Sequence, residues 1–157
     1  MTSEGPWLTV DQQRVWRQWL SVSAELPAAL HRALQADSGL SLPDFEVLVQ
    51  LTDRSDGRVR VTDLATAMHW ERSRLSHHVK RMESRGLVVR EECPEDGRGA
   101  FVVITPAGRS AIERAAPAHA QLVGELVFDG LTDAELEGLA GVTQKVLGRL
   151  RADADRR

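Results

Sequence analysis

The 157 residues suffice for one ordinary domain, or a small domain with helical extensions, and leave no room for a second independent catalytic domain. A formal net charge of −3 gives no whole-chain attraction to nucleic acid, and the single cysteine, Cys93, excludes an intramolecular disulfide or a multi-cysteine zinc site. The start Met1–Pro6 is not signal-like, and no apolar run approaches the roughly 20 residues of a membrane span, so the sequence predicts a soluble, cytoplasmic chain.

From Thr9, a candidate N-cap, apolar residues recur with helical spacing at Val15, Trp16, Trp19, Leu20, Val22, Leu26, Leu30 and Leu34. Pro27 interrupts the pattern and predicts a kink or break. Gly39 ends the element. Ser41-Leu42-Pro43-Asp44 then starts a helix running to about Thr52, with Ser41 as N-cap. Ser55-Asp56-Gly57 reads as a turn, Val59 and Val61 as at most a short extended stretch, and Thr62 as the cap of a helix from Asp63 to about His69.

Ser73 to Arg85 carries one narrow apolar stripe of Leu75, Val79 and Met82, and Gly86 is placed as its left-handed terminator. Leu87–Arg90 and Ala100–Ile104 are β-prone runs around Pro94-Glu95-Asp96-Gly97-Arg98-Gly99, the pattern of a hairpin. Thr105-Pro106 opens another helix, which Pro117 is expected to bend, and Thr132 with Glu135 forms a capping box for the last one. The expected architecture is mainly α with a small β-hairpin wing.

Between Glu71 and Arg90 stand six basic residues against two acidic ones, so this stretch carries +4 and the remainder −7. Charge runs are ordinarily solvated helix faces, so charge alone does not decide a partner. The arrangement adds more: two short helices around a turn, the second cationic and followed by a hairpin, describe a helix-turn-helix with a wing. One face of such a second helix packs on its domain while the other enters a major groove about 12 Å wide.

Ser73, Arg74, Ser76, His77 and Lys80 are the candidate base contacts, with Arg74 and Lys80 able to pair with guanine O6 and N7. Arg72, Arg81 and Arg85 suit phosphate. The bland alternative for each arginine is solubility.

The chain resembles the MarR (multiple antibiotic resistance regulator) family from roughly Thr9 to Leu150. The resemblance is carried by Leu42–Leu48, Val61–Ala65, Ser73–Arg90, Pro94–Arg98 and Ile104–Gly108 taken in order. It implies a homodimer joined by its N- and C-terminal helices and bound to double-stranded DNA. Residues 1–40 and 106–157 would then serve dimerisation, with 41–105 as the DNA-binding winged helix-turn-helix. It also implies that Arg98 enters the minor groove from the wing, oriented by Asp96. Gly97 stands where many family wings carry another basic residue, and Asp96-Gly97 equally suits an ordinary hairpin turn. The resemblance further implies a small aromatic effector, with Trp16, Trp19, His31 and Trp70 as candidate ligand contacts; core or dimer packing is the competing role for the tryptophans.

Other function classes find less support. Cys93 lies at the wing and the chain has no tyrosine, unlike the thiol sensors of this family. His69, His77, His78 and Cys93 include good zinc ligands, but His77 and His78 diverge by about 100° on a helix. No glycine-rich phosphate loop, nucleophile elbow or metal-ligand spacing points to an enzyme, and no cofactor is expected. A winged helix that binds protein instead of DNA is the remaining alternative.

Overall fold

The computed structural model describes residues 7–92 and 99–156. The chain divides into two compact units, one reaching His119 and the other starting at Ala120.

The first unit opens with α1 (Val10–Ser38), whose N-terminus is closed by a capping box between Thr9 and Gln12 and whose C-terminus ends on left-handed Gly39. Of the kink or break expected at Pro27, a break does not occur. The helix continues through it, and its C-terminal half packs on the next helix with Leu34 buried. That helix, α2 (Leu42–Thr52), starts from a second capping box, in which Ser41 and Asp44 each accept the other's backbone N–H.

β1 (Arg58–Arg60) leads straight into α3 (Val61–Ala67). Thr62 is therefore inside the helix and not its cap: buried Val61 takes the first helical position, and the Thr62 hydroxyl faces the Asp63 carboxylate at 3.4 Å. α4 (Arg72–Ser84), β2 (Val88–Glu92), β3 (Ala100–Ile104) and α5 (Pro106–Val123) complete the order. The expected hairpin is β2–β3, and β1 joins its other edge to give an antiparallel sheet in the order β1-β3-β2.

The core of this unit lies where α2, α3, α4 and the sheet meet. Leu48, Leu51, Leu64, Leu75, Val79, Met82, Val88 and Val102 are essentially inaccessible there. Each such side chain contributes about 1.5–3 kcal/mol on burial, which seats α4 firmly on its apolar stripe.

The second unit holds the end of α5, a π-helical turn (Gly124–Phe128) and α6 (Asp133–Ala154), whose start is the capping box of Thr132 and Glu135. α5 runs on through Pro117. No residue of α6 is buried.

Candidate nucleic-acid interface

Two left-handed residues frame α4. α3 ends on His69, at φ 52°, with Trp70 N–H donating to Ala65 O and His69 N–H to Thr66 O; α4 ends on Gly86, with Leu87 N–H donating to Met82 O and Gly86 N–H to Glu83 O. Both are Schellman closures, and the first makes the tight turn of the helix-turn-helix. His69, considered above as a metal ligand, thus sits at a helix terminus. Among the described residues no group of three His, Cys, Asp or Glu is placed to hold a metal ion.

The buried stripe of α4 is Leu75, Val79 and Met82 together with His78. At 100° per residue, Ser73, His77 and Lys80 project directly away from it. Arg72, Ser76 and Glu83 follow the flank towards the sheet, and Arg74, Arg81 and Arg85 the flank towards α2. Ser73, His77 and Lys80 are exposed, and Ser76 is half-buried.

The α2 flank is organised around a buried carboxylate. Asp44 Oδ1 lies 3.0 Å from His78 Nε2, and Asp44 Oδ2 lies 2.7 Å from Arg85 Nη1. Arg85 also donates to Gly39 O at 2.9 Å. Arg81 Nη2 stands 2.9 Å from His78 Nδ1; an arginine only donates, so Nδ1 accepts and the ring proton sits on Nε2, facing Asp44. Burial alone would raise the Asp44 carboxyl. Hydrogen bonds from His78, Ser41 and Arg85 outweigh burial and hold it well below the usual carboxylate range. Arg85, expected at phosphate, is therefore held internally, and Arg81 is oriented by His78. Arg74 packs over the Trp70 ring, 4.2 Å from its centroid, and its charge opposes the burial that raises the Glu46 carboxyl on α2.

On the sheet flank, Arg72 and Ser76 line a cleft together with Arg90, Arg60 and Thr62. Glu83 accepts the Arg90 backbone N–H at 3.0 Å, fixing the start of the wing to α4. Asp96 and Arg98, with Cys93 and Gly97, lie outside the described residues.

The four candidate ligand contacts are not brought together. Trp16 and Trp19 are exposed on α1; His31 Nδ1 accepts the Leu42 backbone N–H at 3.2 Å; Trp70 lies beneath Arg74 and edge-on to His78. A cleft of about 300 Å³ forms elsewhere, among Leu26, Pro27, Leu30, Phe45, Glu46, Val49 and His119. The His119 ring lies 4.3 Å from that of Phe45, and its buried Nδ1 has no hydrogen-bond partner among the described residues; burial lowers its pKa. Nothing local in the sequence joins His119 to α1 and α2, because the grouping exists only after α5 packs.

Residues 38–99 match the MarR family. The chain is 38% identical to AbsC, a MarR family transcriptional regulator from Streptomyces coelicolor, over 94% of this chain and 99% of that one, with a TM-score of 0.88. It is also 38% identical to Sco3205, a MarR family regulator of the same organism solved in complex with DNA, with 93% and 91% of the two chains covered and a TM-score of 0.87. The HTH-type transcriptional repressor IacR of Pseudomonas putida is 32% identical over 71% of this chain and 65% of its own length. The chain spans about half to two thirds of the length of the curated relatives it matches.

Proposed function

The chain belongs to the MarR family of transcriptional regulators, and on that premise we propose that it acts as a homodimer reading a pseudo-palindromic operator in double-stranded DNA. The observation that carries this reading is the division of α4 into one buried stripe and one exposed polar face, with the sheet at its side. Ser73, Ser76, His77 and Lys80 are the base readers; Arg72, Arg74 and Arg81 flank them, and Arg98, oriented by Asp96, reaches the minor groove. Two recognition helices in one dimer would sit about 34–36 Å apart, one DNA turn.

Dimerisation is assigned to residues 1–40 and 106–157, with 41–105 as the DNA-binding part. Val15, Trp16, Trp19 and Leu20 on α1 are exposed, as are Leu136, Val142, Leu147 and Leu150 on α6, more large apolar surface than an unpartnered helix retains. The tryptophans are given to this seam. A small aromatic effector is assigned to the cleft at Phe45 and His119. No helix among the described residues is long and apolar enough to cross a membrane, and the reading is of a cytoplasmic, non-enzymatic regulator.

Selection of bound sequences from a random duplex pool, at two salt concentrations, tests this. A two-fold-symmetric consensus with steep salt dependence is the expected result. Absence of enrichment at low salt would transfer the winged helix to a protein-binding role.

A further inference from the structure

We infer that Arg72 and Arg90 form the two sides of a seat for a single backbone phosphate of the duplex, at the junction of α4 and the wing. The inference rests on the DNA-binding reading above and adds a contact residue, Arg90, from outside the recognition helix.

The seat is a cleft of about 260 Å³ whose polar lining side chains are arginines and hydroxyls, with no carboxylate among the described lining residues. The strand register explains why Arg90 faces it. Arg90 pairs with Val102, which is wholly buried against the helices, and paired residues on neighbouring strands share a face of the sheet. Arg90 therefore lies on the helix side of β2, at the middle of the strand and exposed, where it lines the cleft together with Arg72 and Ser76. The Glu83 contact to the Arg90 backbone N–H ties β2 to α4, so the backbone positions from which the two arginines extend into the cleft are set by the fold.

Cations on two sides and hydroxyls of Thr62 and Ser76 along the edge suit a tetrahedral anion with several acceptor oxygens. A base edge would leave most of those donors unmatched. The seat lies beside the outward line of Ser73, His77 and Lys80, where the strand bordering a major groove occupied by α4 would run. One phosphate held there fixes the register of α4 along the groove and carries no sequence information itself.

The test measures affinity for a mixed-sequence duplex across a salt series, for the wild type, R72A, R90A and the double variant, each with a melting curve to establish that it is folded. Each neutralised phosphate contributes about 0.9 to the slope of log affinity against log salt. Each single variant should lower the slope little, since the remaining arginine still neutralises the phosphate, and the double variant should lower it by about 0.9 per protomer, because both arginines serve one phosphate. The same loss is expected on every sequence.

An unchanged slope in the double variant overturns the inference, as does a double-variant loss near twice that size, which would mean two separate phosphates. A loss confined to one sequence would make Arg90 a base reader and also overturn it. Inorganic phosphate is the second probe: if it stabilises the wild type but not R90A, while the DNA slopes are unchanged, the seat takes a free anion instead. A wild type that binds no duplex at low salt removes the DNA-binding reading itself, a result separable from all of these.

Discussion

Asp44 and Arg85, 41 residues apart in sequence, meet at 2.7 Å and tie the C-terminal end of the recognition helix to the first turn of α2. Asp44 simultaneously caps α2 through the Ser41 backbone N–H and faces His78 from within the core. One carboxylate thus holds the start of one helix and the orientation of another. Arg85 is partly exposed and contributes less than His78 to this arrangement, since water screens its charge.

Replacing Asp44 with alanine should destabilise the fold by about 2–4 kcal/mol, because it leaves the neutral, buried His78 N–H without its acceptor and removes the Asp44 half of the α2 capping box. The pH dependence follows from the depressed carboxyl. A group whose folded pKa is lowered contributes stability above its unfolded value, about 3.9, and loses it as pH falls through the folded value. Denaturant melts of wild type and Asp44→Ala should therefore differ most above about pH 5 and converge on acidification below pH 4. A difference that stayed constant to pH 2 would show that the Asp44 charge is not what stabilises the fold.

The residues that were legible in the sequence are those whose partners lie within a turn. Thr9, Ser41 and Thr132 announce helix starts because an N-cap bonds only three residues ahead, and Gly86 announces a helix end because its backbone is left-handed. Asp44 reads as a capping acid for the same reason, but its second role with His78 and Arg85 depends on α2 and α4 packing together. The face of Arg90 depends on pairing with Val102, and the place of the short stretch around Val59 in the sheet on Arg58 pairing with Val103; neither pairing leaves a short-range signal. His69 in a left-handed turn was hidden because histidine, unlike glycine, does not advertise that conformation.

Gly108, in the first turn of α5, illustrates a constraint of close approach. A Cβ there would fall on the backbone carbonyl of Leu87, directly after the recognition helix, and backbone cannot yield as a flexible side chain does. Gly108→Ala should cost about 1–3 kcal/mol, the range of overpacking. Gly138 in α6, where the added methyl meets nothing within 4 Å, is the control. Gly138→Ala should gain about 0.5–1 kcal/mol from helix propensity. Thermal melts of the two variants should move in opposite directions; equal shifts would break the argument.

The exposed apolar side of α6 gives a separate test of assembly. Leu147 and Leu150 are 49% and 62% exposed in the single chain, so a charge at either disturbs little packing within it. Leu147→Asp should leave helicity intact and shift the protein to monomer in sedimentation. Operator binding should weaken by about 10²–10⁴-fold, because the second half-site is no longer presented at high effective concentration. A dimer of unchanged affinity would remove α6 from the seam.

Lys80 and Arg74 entered as equal candidates for guanine, and their surroundings now separate them. Lys80 projects opposite the buried stripe of α4, whereas Arg74 is on the α2 flank with its guanidinium stacked over Trp70. A side chain held on an aromatic ring is less available to follow a base edge and better suited to a fixed phosphate. Lys80→Ala should therefore cost about 1–3 kcal/mol at one base-pair position while changing other positions little. Arg74→Ala should weaken binding evenly across sequences and reduce the salt slope. Competition with operators substituted one base pair at a time distinguishes the two: a single relaxed position for Arg74 and a uniform loss for Lys80 would reverse the assignment and show that Arg74 leaves Trp70 when DNA binds.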